Sequence, residues 1–395
     1  MTLSERLLRG VVNCESREHL SERLDRGQQL RIKFGVDPSA PDLHLGHLVP
    51  IRFLRRWQMA GHLPVLVIGD FTARIGDPTG RSATRPQLSV EEVELNAQTY
   101  LDQLFAVLDQ DRVEVRRQSE WFGDFDLVAF LKLANTFTVA QLLQRNDFDQ
   151  RMRAEQPIGL HELFYPLLQG YDSVAVRADV ELGGTDQLFN LLRGRDVQGA
   201  YGEAAQDIVT VALLEGLDGE RKMSKSLGNA VAVADSATVQ FGQLMSLPDR
   251  LITRYLALLT DTTGAELEEV ERGLEDGSLH PRDAKADLAE EVVSSLHDRL
   301  QGQAAREEFF RVHRDRALPS RIDEVVVAAR PSWDLRELLV AAGMARSKSE
   351  AGRLIQGGAV ELDGVRLADW RQPVAVGPGA ILKVGNRRVV RLRPG

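Results

Sequence analysis

A chain of 395 residues with 43% hydrophobic side chains is long enough for two or three domains and can bury a substantial core. Its single cysteine, Cys14, excludes an internal disulfide and a thiolate zinc cluster. The net charge of −9 argues against a uniformly basic nucleic-acid binder, but residues 331–395 sum to +5 and residues 1–330 to −14, so contact with a polyanion is expected at the C-terminal end. No apolar run approaches the ~18 residues of a membrane span, and charges interrupt the N-terminal apolar positions, which therefore read as a helix and not as a signal peptide. A soluble cytoplasmic protein is the expectation.

Leucines at 3, 7, 8, 20 and 24 give residues 1–27 a helical period that ends at Gly27. Leu30 to Val36 (LRIKFGV) reads as a strand and leads through a short loop into a helical pattern at Leu48, Ile51, Leu54, Arg55 and Met59. Pro64 to Gly69 (PVLVIG) is continuously apolar, as in a parallel strand buried on both faces. Strand, helix and strand in this order predict a Rossmann-like unit whose ligands sit at the carboxyl ends of its strands. A polar, Gly/Pro-rich stretch follows, then a helix over 89–109, a strand from Arg112 to Arg116 and an inserted helical pair over 124–155.

The helix from Leu160 to Tyr171 sets Tyr165, Gln169 and Asp172 on one face, because they are four and three residues apart. A short strand, Val180 to Leu182, enters the glycine-rich turn Gly183 to Gln187, and Asp207 to Leu213 reads as the last strand of this part. The expected architecture is an α/β, Rossmann-like nucleotide-binding catalytic domain with a parallel sheet (1–230), an α-helical domain (231–325), a linker (326–332) and a small α+β unit (333–395). The last has helices at Asp334 to Ala342 and Lys348 to Gln356, then a hairpin-rich tail.

Two motifs carry the chemistry. His44, Leu45, Gly46 and His47 stand at a strand-to-helix junction, where free backbone N–H groups and the helix dipole favour phosphate oxygens and imidazoles can donate to them without a metal. Such a pair alone also fits metal ligands, surface residues or caps. The second motif, Lys222 to Ser226 (KMSKS), lies 175 residues beyond His47 and alone also fits a solvated turn.

Together the motifs resemble the paired signatures of the class I aminoacyl-tRNA synthetases, and nearly the whole chain is similar to the bacterial tyrosyl branch that keeps KMSKS intact. The resemblance implies ATP, Mg²⁺ carried by ATP with no dedicated protein site, L-tyrosine, tRNA(Tyr) and a homodimer joined through the 124–155 insertion. It implies that His44, His47, Lys222 and Lys225 act on the triphosphate, with Arg81 and Arg85 toward the pyrophosphate. Asp37, Ser39, Gly46, Gly184, Asp186, Met223 and Ser224 would complete the ATP site, Asp186 on the ribose.

Tyrosine would lie among Gly35, Asp77, Tyr165, Gln169 and Gln187, its phenol on Asp172. Commoner forms place a tyrosine where this chain has Lys33, whose ammonium is expected to donate to the phenol oxygen or to pair with Asp172. The tail resembles the alpha-L RNA-binding domain first known from a small-subunit ribosomal protein, along Arg346, Lys348 and Arg353 through Gly358, Val360 and Asp363-Gly364 to Lys383 and Val384. The rival readings are a tryptophanyl-tRNA synthetase, an adenylyltransferase with an HxGH site, and a catalytically silent RNA-binding paralogue.

Overall fold

The computed structural model describes residues 2–38, 42–74, 89–314, 317–320, 322–385 and 388–395. Two compact units divide at residues 303 and 304. The first opens with α1 (Leu3–Leu7), β1 (Val11–Glu15), α2 (Arg17–Asp25), β2 (Arg31–Val36), α3 (Leu45–Met59), β3 (Leu63–Ile68), α4 (Val90–Phe105) and β4 (Glu114–Arg117). Five helices follow, α5 (Ser119–Phe122), α6 (Leu127–Ala134), α7 (Val139–Leu142), α8 (Asn146–Arg153) and α9 (Leu160–Ala175). Then come β5 (Val180–Gly184), α10 (Leu188–Ala200) and β6 (Asp207–Val211).

Strand order in the sheet is β1-β6-β5-β2-β3-β4, with only β1 antiparallel to its neighbour. Its central strands are buried because helices cover a parallel sheet: every residue of β6 and all but the first of β3 are buried. The Trp57 indole on α3 is fully buried and donates to the Leu7 carbonyl (3.2 Å), which fixes α1 against α3.

Residues 1–27 differ from the expected helical run. Gly10 (φ 79°) and Ser16 (φ 62°) adopt left-handed backbone on either side of a Val-Val start, and the segment between them adds an antiparallel edge strand to β6. The insertion holds three helices, α6 to α8, where two were expected. Helices α11 (Ala237–Leu244), α12 (Ile252–Leu259), α13 (Gly264–Asp276) and α14 (Pro281–Leu296) fall in the same compact unit as the sheet, and α15 (Arg299–His313) spans the division between units.

The second unit contains β7 (Asp323–Val327), α16 (Leu335–Ala341), α17 (Lys348–Gln356), β8 (Val360–Leu362), β9 (Val365–Arg366), β10 (Ala380–Val384) and β11 (Arg388–Pro394). The sheet runs β7-β11-β10-β8-β9. Here β7 corrects the expected helix and linker: its Val325-Val326-Val327 run suits an extended strand and pairs in parallel with β11. Leu335, Leu338 and Leu339 of α16 pack with Ile355 of α17 and Leu382 of β10 in a core of this unit's own.

Candidate active site

A cavity of about 380 Å³ opens at the carboxyl ends of the parallel strands. Gly35, Val36 and Asp37 line it at the end of β2, Gly69 beyond β3, Gly183 and Gly184 at the end of β5, and Gln118 just beyond β4. The same cavity brings together the expected His44, Gly46, His47, Tyr165, Gln169, Asp172, Asp186, Gln187, Lys222, Met223 and Ser224. Lys225 and Lys33 are not on its wall, and Ser39, Asp77, Arg81 and Arg85 lie outside the described residues.

At one end of the cavity, His44 precedes α3 and the His44 and His47 imidazoles lie 3.9 Å apart. Nδ1 of His47 accepts the His44 backbone N–H (3.1 Å), so the neutral ring carries its proton on Nε2 and presents a donor there. Nδ1 of His44 is buried with no hydrogen-bond partner. Burial, then His47 and Lys225, push His44 down to about 3, and burial with Lys225 pushes His47 down to about 4. Both rings are therefore uncharged at neutral pH. Gly46 gives the His44 ring its place: a Cβ at that position would meet His44 Nδ1 at 3.0 Å.

The lysine loop is tied to this junction. Leu45 N–H donates to the Val231 carbonyl (3.0 Å) and Val233 N–H to Leu43 (2.9 Å), while Met223 N–H reaches Leu214 (2.8 Å). Inside the loop, Asn229 Oδ1 accepts Ser224 N–H (2.8 Å) and its Nδ2 donates to Asp218 (2.9 Å). Lys222 Nζ lies 3.1 Å from Asp186 and Lys225 Nζ is paired with Asp42. Both pairs are partly exposed, so a phosphate can displace the carboxylates at little expense.

At the other end, Asp172 is only 2% exposed, and accepts from Gln118 Nε2 (2.8 Å) and Trp121 Nε1 (3.1 Å). Burial is the dominant cause that raises its carboxyl to about 7, with Glu181 adding and Lys33, Gln118 and Trp121 opposing. Tyr165 hydroxyl donates to Asp37 Oδ2 (2.7 Å), and Thr72 hydroxyl to Asp37 Oδ1 (2.8 Å). Gly69 makes room for that carboxylate, since a Cβ there would lie 2.0 Å from Asp37 Oδ1.

Lys33 bonds elsewhere than expected. Its fully buried ammonium donates to the Gln169 carbonyl (2.7 Å) and Ser173 hydroxyl (2.8 Å) and pairs with Glu181 (3.0 Å), which accounts for its three donors beneath the cavity. Glu181 also accepts from the Gln169 and Gln206 side chains, so this pair fixes the amide of Gln169. Lys33→Met is expected to cost about 3–5 kcal/mol by leaving Glu181 charged and unpaired, with Lys33→Met/Glu181→Leu recovering most of it, read from urea unfolding midpoints.

Gln118, Thr72, Trp121 and Glu181 escaped the sequence reading. Only Gln118 had a signal, being the first residue past a parallel strand, as Asp37 is past β2. In the second unit Arg346, Lys348 and Arg353 are exposed at and along α17, with Lys348 held by Glu337 (2.7 Å).

The family model for tRNA synthetases class I (W and Y) matches residues 25–314 and that for the S4 domain matches 335–377. The chain belongs to the class I tRNA synthetases of the tryptophan and tyrosine group. Among its curated relatives, the tyrosine–tRNA ligase of Moorella thermoacetica is 46% identical over 390 residues, covering 98% of this chain and 94% of that one. The tyrosine–tRNA ligase of Thermotoga maritima is 46% identical over 389 residues, covering 98% and 96%. The fold is shared with a C-terminally truncated mitochondrial tyrosyl-tRNA synthetase of Aspergillus nidulans (TM-score 0.67, 23% identity, 79% of this chain and 94% of that one). It is shared also with the Aeropyrum pernix tyrosyl-tRNA synthetase (TM-score 0.61, 24% identity, 77% and 95%).

Proposed function

We propose that this protein activates L-tyrosine with ATP and transfers it to the 3'-terminal adenosine of tRNA(Tyr). The observation that carries the choice of a side chain with a hydrogen-bond donor is Asp172, a buried carboxylate facing the same cavity as the histidines and Lys222. A phenol hydroxyl donates to it; an indole N–H is also a donor, as Trp121 is to this carboxylate, so the choice of tyrosine over tryptophan rests on the relatives. Relatives 45–46% identical over nearly the full length that are tyrosine–tRNA ligases support the same reading.

In the first step a tyrosine carboxylate oxygen attacks the α-phosphorus, a P–O bond forms, and the bond to the β-phosphate oxygen breaks as pyrophosphate leaves. The nucleophile is already anionic, so alignment and charge stabilisation supply the catalysis and no general base is needed. His44 and His47 donate to the triphosphate, while Lys222 and Lys225 exchange Asp186 and Asp42 for phosphate oxygens; Asp186 is then free to accept from the ribose hydroxyls. Arg81 and Arg85 act toward the pyrophosphate, and Ser39 and Met223 belong to the ATP site. Asp77, Tyr165, Gln169 and Gln187 hold the ammonium end of tyrosine, with Gly35 under the ring.

Mg²⁺ accompanies ATP, its preference for water and phosphate oxygens requiring no carboxylate cage from the protein. In the second step a ribose hydroxyl of the terminal adenosine attacks the tyrosyl carbonyl and AMP leaves. The helices from α11 to α15 and the S4 unit, with Arg346, Lys348 and Arg353 outward, grip the anticodon side and the long variable arm. No described helix is long and apolar enough to cross a membrane, which is consistent with work in the cytoplasm beside the tRNA pool.

The homodimer is read from the insertion, where α6 exposes Leu127 (71%), Val128 (74%) and Leu131 (57%), and α7 exposes Val139 (61%). An apolar patch of this kind marks an interaction surface. Val128→Glu/Leu131→Glu is expected to halve the molar mass seen by light scattering without lowering the melting temperature of the monomer.

The direct test is charging of a tRNA(Tyr) transcript with labelled tyrosine. Acid-precipitable tyrosine that depends on ATP and on the transcript supports the proposal, whereas charging of tRNA(Trp) with tryptophan overturns the substrate.

A further inference from the structure

A second cavity, of about 420 Å³, lies against α3 away from the nucleotide-facing histidines. Four guanidiniums line it. Arg52, Arg55 and Arg56 share one helix face, three and four residues apart, and Arg9 enters from the turn between α1 and β1.

Three of the four guanidiniums donate to neutral acceptors. Arg56 bonds the Arg9 carbonyl (2.8 Å), Arg55 the Gln58 amide oxygen (2.8 Å), and Arg9 the Thr262 carbonyl. Arg52 alone is paired with a carboxylate, Asp261 (3.0 Å), whose side chain is 93% exposed. Two further acids lie near this rim and stay charged, their hydrogen-bond partners being neutral: Glu266, which Arg9 attracts, accepts from Thr263 at the start of α13 (2.6 and 2.8 Å), and Glu291 accepts the Asp261 N–H (3.2 Å), so four arginines face three carboxylates. Burial, with Arg9 and Arg52 as like charges, holds the Arg56 guanidinium below its usual range, with only Asp261 opposing. Positive charge thus exceeds negative in a partly buried space, and an anion there relieves repulsion among the arginines.

Met59, largely exposed, and Leu258 give the same cavity apolar wall. Arginine forks match phosphate oxygens, the apolar wall suits a flat ring, and the volume suits a mononucleotide. We infer that the cavity lined by Arg9, Arg52, Arg55 and Arg56 is a second binding site, for a nucleoside phosphate, separate from the catalytic cavity. The occupant is either a free nucleotide or one nucleotide of a bound RNA, which present the same chemistry.

The test is equilibrium dialysis of the full chain against labelled cytidine 5'-monophosphate at low salt, with three proteins: unaltered, Arg52→Gln/Arg55→Gln, and Asp261→Asn. The arginine variant is expected to bind at least 10-fold more weakly and Asp261→Asn about 3-fold more tightly, with tyrosine-dependent pyrophosphate exchange unchanged in both. A folding defect cannot tighten binding, so the two variants together separate the site from damage. If the arginine variant also weakens tRNA(Tyr) binding by a similar factor the occupant is an RNA nucleotide; if tRNA binding is unchanged, it is a free one. Equal binding by all three proteins, or none by the unaltered protein, overturns the inference.

Discussion

Asp172→Ala is expected to lower kcat/KM for tyrosine by about 100-fold while raising that for phenylalanine. A hydrogen bond to a charged group is worth about 1.5–3 kcal/mol, and a buried carboxylate with no hydroxyl to receive disfavours phenylalanine by a comparable amount. The alanine variant also strands the Gln118 and Trp121 donors, so its melting temperature should fall; Asp172→Asn keeps the shape and isolates the effect on substrate. The ionised carboxylate is the acceptor, and burial has raised its pKa to about 7 against Lys33, Gln118 and Trp121. The pH profile of kcat/KM for tyrosine should therefore rise through about pH 7 in the free enzyme and level above it. The profile of Asp172→Asn should lack that limb. The corresponding effect on stability has the opposite sign: the folded chain keeps a proton the unfolded chain releases between pH 3.8 and about 7, so this group's contribution to stability falls as pH rises across that window.

Lys222→Ala and Lys225→Ala are each expected to slow tyrosyl-adenylate formation by about 100- to 1000-fold, the range for removing a preorganised donor to developing charge. Tyrosine affinity should not change, because both ammoniums stand at the phosphate end, paired with Asp186 and Asp42. Stability should not change either, since both side chains are partly exposed. Stopped-flow fluorescence at varied tyrosine and ATP separates the terms. A weaker tyrosine Kd with an unaltered rate would place the lysines at the wrong end of the cavity.

The sequence made the phosphate end of the site legible because that end is built from contiguous motifs at a strand-to-helix junction and on a loop. Helical spacing likewise put Tyr165, Gln169 and Asp172 on one face of α9, and all three line the cavity. What spacing does not carry is the partner across the sheet. Nothing in the local sequence says that Gln118 meets Asp172, 54 positions away, or that Lys33 on β2 meets Glu181 on β5. Lys33 is expected at the phenol because it stands where commoner forms of the family place a tyrosine; the adjacent parallel strand supplies Glu181 as its partner instead. The strands at 11–15 and 323–327 were missed for a related reason. Each is short and takes its place from pairing with a strand far along the chain, β6 and β11 respectively.

The most direct measurement is exchange of labelled pyrophosphate into ATP, run with each of the twenty amino acids on the unaltered chain and on Asp172→Ala. The account predicts exchange with tyrosine alone, reduced by about 100-fold in the variant. Exchange driven by tryptophan, or exchange with tyrosine that is untouched by Asp172→Ala, would contradict it.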